Sequence, residues 1–179
     1  MALDGIFLHH IKNEISAFAV GARVEKIHQP SKEELVFSLR SREGAKKLLV
    51  SARADSARIH FTEFPPENPA KPPMLCMLFR KHLLSAKITD IEQDGLERIL
   101  TIGFDSTNEL GDPVHFSLIV EIMGRYSNVI LVDENGIVVD ALKRVDEEKS
   151  QVRTILPGEK YVSPPCLLYT SPSPRGPLY

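Results

Sequence analysis

The chain has 179 residues, is 42% hydrophobic and 26% charged, and carries a formal net charge of −2. That length can bury a substantial core in one domain or a compact pair, while the charge excludes a uniformly basic nucleic-acid binder and restricts any RNA-facing surface to a local basic patch. Two cysteines, Cys76 and Cys166, make no disulfide framework, and neither a secretory leader nor a window of about 18 apolar residues is legible, so a cytoplasmic protein with no membrane partner is expected.

Residues 4–18, DGIFLHHIKNEISAF, have helical spacing, with Asp4 as N-cap. Phe7, Ile11 and Phe18 are expected on one face with Leu8 and Ile15 beside it, and Gly21 ends the helix or begins the next turn. Short strands follow at 23–29, 34–40, 47–52 and 58–62, joined near Gln29-Pro30-Ser31-Lys32, 41–44 and 53–56; this spacing suggests an antiparallel meander. The proline-rich stretch at 65–73 cannot be helix or central strand. It ends in Pro72-Pro73, well placed to start a helix over 74–85. That helix carries an apolar stripe of Leu75, Leu78, Phe79 and Leu83, a Cys76 expected to be buried, and Arg80, Lys81 and His82 on its other side. Strands are then expected at 87–93, 97–104, 114–123, 128–132 and 137–142, with Asp94-Gly95 and Asn135-Gly136 as hairpin signals. A charged, exposed stretch covers 145–151, and an extended segment over 152–156 runs into Pro157-Gly158. The two halves look faintly alike, each a helix followed by strands. The last 14 residues, 166–179, have three prolines and no periodicity; they are read as a cloning-derived or disordered tail, leaving 1–165 as the domain.

Enzyme signatures are missing. The sequence has no Walker-type phosphate loop, GxGxxG, HExxH, CxxC or GxSxG. His9 and His10 are adjacent and diverge by about 100° on a helix, and the remaining histidines are dispersed. No metal, cofactor, catalytic residue or small-molecule substrate is expected, and the chain reads as a binding module rather than an enzyme.

Five stretches together resemble one family: DGIF at 4–7, KIHQPSKEELVF at 26–37, PPMLCMLFRKHL at 72–83, IEQDGLERIL at 91–100 and EIMGRYSNVILVD at 121–133. They are similar to the N-terminal, NFACT-N, domain of the RqcH/NEMF family, whose bacterial members are also called fibronectin-binding protein A. The resemblance covers residues 1–165. It implies an α+β fold, an antiparallel β-sandwich flanked by helices, similar to the N-terminal domain of formamidopyrimidine-DNA glycosylase. It also implies a ribosome-associated quality-control function: binding of large ribosomal subunits blocked by peptidyl-tRNA, recruitment of tRNA, and support of mRNA-free alanine tailing of the stalled nascent chain. Full-length members add a coiled-coil arm and a C-terminal RNA-binding domain, so this chain is expected to be a fragment. Glycosylase chemistry is not expected: it uses an N-terminal proline followed by glutamate, whereas Ala2 and Leu3 follow Met1 here, and the secondary amine is missing.

The resemblance points to Asp4 and the Glu97-Arg98 pair as tRNA-binding; Arg125 joins them from its place beside Gly124, and the basic residues Lys26, Lys32, Arg80 and Lys81 are candidate further RNA contacts. Each has an alternative reading. Asp4 serves a helix cap, a contact, or both. The Glu97-Arg98 pair, usually Asp-Arg in the family, is otherwise a solvated hairpin shoulder. Neighbours on a strand point to opposite faces, so the two act together only if the backbone bends there. Glu97 also carries its carboxylate about 1.5 Å further out than aspartate would. Arg125 follows Gly124 at a turn and either reaches a phosphate or pairs with Glu121. Tyr126 either stacks on a base or packs half-buried. Arg80, Lys81 and His82 otherwise form an ordinary solvated helix side, and Lys26, His28 and Lys32 a second basic cluster. A surface adhesin that binds fibronectin or fibrinogen after unconventional export to the cell surface is the competing reading.

Overall fold

The computed structural model describes residues 4–95, 97–150 and 152–165; the expected tail and Cys166 lie outside them. Helix α1 (Gly5–Ala19) starts where Asp4 sets it, because the Asp4 carboxylate accepts the Phe7 amide at 2.7 Å. Its inward stripe is Leu8, Ile11, Ile15 and Phe18, at spacings of three and four. Phe7 lies one position off that stripe and is 53% exposed, which corrects its expected place on the buried face.

Four strands follow: β1 (Arg23–Ser31), β2 (Glu34–Ser41), β3 (Gly44–Ser51) and β4 (Arg58–Thr62). Val24 and Ile27 are both buried although they stand three apart, which simple alternation forbids. A β-bulge between Val24 and Lys26 restores the phase. After the proline-rich crossing, helix α2 (Met74–Leu83) starts on Pro73 and buries Cys76, Phe79 and Leu83. Cys76 thus sits at the centre of the stripe, while Leu75 and Leu78 are only partly covered. Five more strands complete the chain: β5 (Lys87–Gln93), β6 (Ile99–Thr107), β7 (Pro113–Glu121), β8 (Asn128–Asp133) and β9 (Val138–Ala141).

All nine strands join in one antiparallel sheet, ordered β4-β3-β2-β1-β5-β6-β7-β8-β9. The halves meet at β1 and β5 through four backbone bonds between 21–24 and 85–88, each 2.8 or 2.9 Å. Each half is a helix followed by a meander, and each helix packs on the first strand of the other half: α1 on β5, α2 on β1. The sheet curls until its halves face each other. Phe37 of β2 meets Phe104 of β6 with ring centroids 6.3 Å apart, and β3 touches β8. The result is the α+β sandwich expected from the sequence, built from a single continuous sheet.

The main core fills the interior of this curl, and a smaller one lies on the outer face of β6–β9, made of Ile99, Ile119, Ile130, Val132, Val138, Ala141 and Ile155. Strand β8 is therefore buried on both faces. The segment after β9 covers the second core and is held by a buried ionic knot. Arg153 donates to both Glu121 carboxylate oxygens, at 2.5 and 3.0 Å, and to the Val162 carbonyl at 2.6 Å. The Tyr161 hydroxyl donates to Glu121 at 2.6 Å. Burial, then the Glu121 charge, pushes that phenol well above its ordinary pKa, so it stays a donor.

Candidate nucleic-acid interface

The β5–β6 connection decides where the expected site residues lie. Strand β6 begins at Ile99, two residues later than expected, so Glu97 and Arg98 belong to a bend rather than a strand. The Glu97 amide donates to the Asp94 carbonyl at 3.1 Å, closing the turn that Gly95 enters with a φ of 62°. The two side chains are thereby released from the alternation that would have separated them. Gln93 then ties this turn to α1. Its amide nitrogen donates to the Glu97 carbonyl at 2.6 Å and to the Gly5 carbonyl at 2.9 Å. Asp4 and Glu97 thus flank two carbonyls within reach of one nitrogen.

The neighbouring β7–β8 connection joins the same end of the sheet. The Arg98 carbonyl accepts the Ile122 amide at 2.9 Å. Two residues on, a 3-10 turn (Gly124–Tyr126) projects Arg125. Gly124 has a φ of 58° and open space where a Cβ would stand, so it is required for its left-handed backbone rather than for close approach. The Arg125 guanidinium lies 4.9 Å from the Tyr126 ring centroid and donates to the Tyr126 hydroxyl at 2.8 Å. The alternative pairing of Arg125 with Glu121 fails, because Glu121 is buried and held by Arg153. Asp4, Glu97, Arg98 and Arg125 therefore converge on one end of the molecule. Ile6 and Phe7, both more than half exposed, sit beside them at the start of α1.

Arg125 also forms one wall of a cleft of about 510 Å³ whose rim includes Lys32, Lys143, Arg144 and Lys149. Lys32 was expected to cluster with Lys26 and His28, but the β1–β2 turn carries it into this cleft instead. Lys26 and His28 line a separate groove of about 770 Å³ with Lys46 and Lys47, where Glu14, Glu25 and Glu63 offset the lysines. Burial, then the positive charges of Arg80, Lys26 and Lys47, hold the His28 imidazole below its usual range. Arg80 does not lie on a purely solvated helix side. Its Nε donates to the Ile27 carbonyl at 2.8 Å and fixes α2 on β1. Lys81 is an exposed partner of Glu109 at 3.7 Å, and His82 packs on Phe116 at 5.0 Å between ring centroids. Among the described residues, no group of three or more His, Cys, Asp and Glu side chains gathers as metal ligands would.

The family model for NFACT N-terminal and middle domains matches residues 4–176 of the sequence. The chain belongs to this NFACT family. Over 173 residues it is 42% identical to the protein named Rqc2 homolog RqcH from Bacillus subtilis, covering 96% of this chain and 30% of that protein. It is 27% identical over 148 residues to human ribosome quality control complex subunit NEMF, covering 83% of this chain and 13% of NEMF. Among solved structures, the N-terminal domain of fibronectin-binding protein PavA from Streptococcus pneumoniae superposes with a TM-score of 0.87 at 42% identity, over 90% of this chain and 62% of that one. The fibrinogen binding protein of Staphylococcus aureus gives 0.81 at 34% identity, over 92% and 57%. The NFACT chain thus spans about a third of the bacterial curated relatives it matches.

Sequence reasoning missed the part of this NFACT surface that comes from the end of the domain. Lys149 falls in the stretch 145–151 expected to be charged and exposed, and Lys143 and Arg144 just before it belong to no expected element. Only the Val145–Ile155 bridge and the Arg153 knot fold these residues against Arg125 and Lys32. The KRVDEEK run at 143–149 was the one available signal, and it carries no hint of its partners.

Proposed function

We propose that this chain is the tRNA- and ribosome-binding domain of a ribosome-associated quality-control factor. It acts in the cytoplasm as a binding module, with no reaction of its own, on large subunits that still carry peptidyl-tRNA. Within a longer protein it supports alanine tailing of the stalled nascent chain. The observation that carries the reading is the convergence of Asp4, Glu97, Arg98 and Arg125, which come from three separate stretches of chain. Their chemistry suits RNA. Arginine pairs with phosphate or stacks on a base, a carboxylate accepts from an exocyclic amine, and the exposed Phe7 ring beside them offers a stacking face. The names of the relatives from bacteria to human support the ribosome quality-control part of this reading. With a net charge of −2, the affinity of the chain alone should be weak and salt-sensitive.

A second reading, an adhesin domain, is favoured by the names of the solved neighbours, which describe fibronectin- or fibrinogen-binding proteins. Titration of the chain and its Arg98→Ala and Glu97→Ala variants against tRNA and against immobilised fibronectin separates the two. Salt-dependent tRNA binding weakened by both substitutions is expected. Tight fibronectin binding with no tRNA signal would overturn the proposal.

A further inference from the structure

The cleft beside Arg125 has a composition unlike the other surface hollows. Six cations line it, Lys32, Arg125, Lys143, Arg144, Lys149 and Arg153, against the single carboxylate of Glu33. Some of these charges are already engaged. Arg153 is committed to Glu121, Arg144 to Asp140 at 2.9 Å, and Lys143 to Glu33 at 3.3 Å and the Ala52 carbonyl at 2.6 Å. The remainder form the rim. Lys32 and Lys149 are exposed, and Arg125 has no carboxylate partner among the described residues; the Lys149 ammonium donates to the Arg144 carbonyl at 3.2 Å. The nearby Asp146, Glu147 and Glu148 lie outside the lining. By contrast, the larger groove next to α1 balances its lysines with glutamates.

Below the rim the cleft is apolar. Leu142, Val145 and Ile155 form its floor, and Tyr126 its aromatic side. The polar side chains at that depth are already satisfied: Asn128 Oδ1 accepts the Val129 and Lys143 amides, and Ser127 Oγ accepts the Met123 amide. A volume of about 510 Å³ falls within the range of about 300–1,000 Å³ typical of small-ligand pockets. An apolar floor, an aromatic wall and a cationic rim together match a nucleobase with its flanking phosphates.

We infer that this cleft seats one unstacked nucleotide of a single-stranded RNA segment, with the neighbouring phosphates on Lys32, Arg125 and Lys149. The inference rests on the tRNA-binding reading and specifies where on the domain the strand runs. Arg125 belongs both to the cleft and to the cluster around Arg98, so one strand can pass from one to the other. Helical RNA cannot reach the floor without unstacking, and so is disfavoured.

The test is fluorescence anisotropy with the 179-residue chain, a labelled 15-nucleotide single strand, the matching duplex, tRNA and a poly-glutamate peptide, at several salt concentrations. Three variants are compared with the parent: the rim pair Lys32→Gln/Lys149→Gln, the floor variant Val145→Phe, and Arg98→Ala. Both rim residues are exposed, so that variant should fold, as circular dichroism will check. The rim pair should lower the slope of log affinity against log salt by about 1.4, at roughly 0.7 for each single-strand phosphate that is no longer neutralised. Filling the floor should weaken single-strand binding about tenfold, because the base can no longer stack there, and leave the slope unchanged. The single strand should bind more tightly than the duplex. An unchanged slope in the rim variant, with tRNA binding still weakened by Arg98→Ala, overturns the cleft and leaves the functional reading intact. Equal duplex and single-strand affinity, or peptide binding as tight as RNA, also overturns it. No RNA binding by the parent chain overturns both.

Discussion

Removing Arg153 should destabilise the domain more than any exposed substitution. The Arg153 and Glu121 side chains are 5% and 0% exposed and meet through two hydrogen bonds of 2.5 and 3.0 Å. In the Arg153→Met variant, the Glu121 carboxylate stays buried and, among the described residues, keeps the Tyr161 hydroxyl as its donor. Leaving one member of a buried pair uncompensated costs about 3–5 kcal/mol, a large part of the roughly 5–15 kcal/mol that holds a domain together. In a chain of this size that corresponds to a fall in Tm of about 6–20 °C. The segment from 152 to 162 should loosen as well, because Arg153 also binds the Val162 carbonyl. The triple variant Arg153→Met/Glu121→Leu/Tyr161→Phe removes the charges and the hydroxyl together and should recover most of the loss, since an apolar replacement of a buried pair is often close to neutral. Urea and thermal denaturation followed by circular dichroism measure all of these. A single variant within about 1 kcal/mol of the parent, well under the cost of an uncompensated buried charge, or a triple variant no more stable than the single, would show that Arg153 does not compensate the Glu121 charge.

Three further outcomes follow from the geometry. Asp4→Ala should cost about 1 kcal/mol of stability, whereas Asp4→Asn keeps the cap and should melt with the parent; if the Asn variant still loses tRNA affinity in a filter-binding assay, Asp4 acts through its charge, and parental affinity would limit it to a cap. Gln93→Met removes the one donor shared by Gly5 and Glu97, so it should cost roughly 1–3 kcal/mol and weaken tRNA binding without any change of charge; parental binding would show that the tie is unnecessary. The third concerns pH. Burial first and neighbouring cations second hold both His28 and His82 below the ordinary 6.5. Between that value and the lowered folded ones the unfolded chain binds more protons, so stability is complete above pH 6.5 and declines as the pH falls through the window. Urea midpoints at about pH 7.5 and about pH 5.5, on either side of the ordinary histidine value, should therefore drop less in His28→Gln/His82→Gln than in the parent, and equal drops would contradict the assignment.

Much of the fold is legible in the sequence because it is local. The two helices follow from apolar spacing and their start signals, and the strands from short β-rich runs between turn residues. The departures have physical causes. Phe7 fits a helical stripe as well as Leu8 does, and only the packing of α1 on β5 decides between them. Val24 and Ile27 look out of phase until a bulge realigns them. The Glu97-Arg98 stretch reads as strand, yet hydrogen bonds at 93–98 make it a bend. For the candidate site, the motifs named Asp4, Glu97, Arg98 and Arg125, but the tie between α1 and the Glu97 turn runs through Gln93, which no pattern singles out, and Arg125 is brought in by the backbone bond between Ile122 and Arg98. The partner of Glu121 stands 32 residues away at Arg153, and no local spacing encodes it. The basic cleft is invisible for the same reason: Lys32 and Lys149 approach each other only after the sheet has curled.

The end of the sheet bearing Asp4, Glu97, Arg98 and Arg125 is the surface proposed to make the contact with tRNA. Ultraviolet cross-linking of the chain to tRNA, followed by mass-spectrometric mapping of the linked peptides, tests it directly. Cross-links are expected in peptides containing residues 4–8, 97–99 and 124–127, lost when Arg98 is replaced by alanine. Cross-links confined to the exposed faces of β2–β4, or unaffected by that substitution, would contradict it.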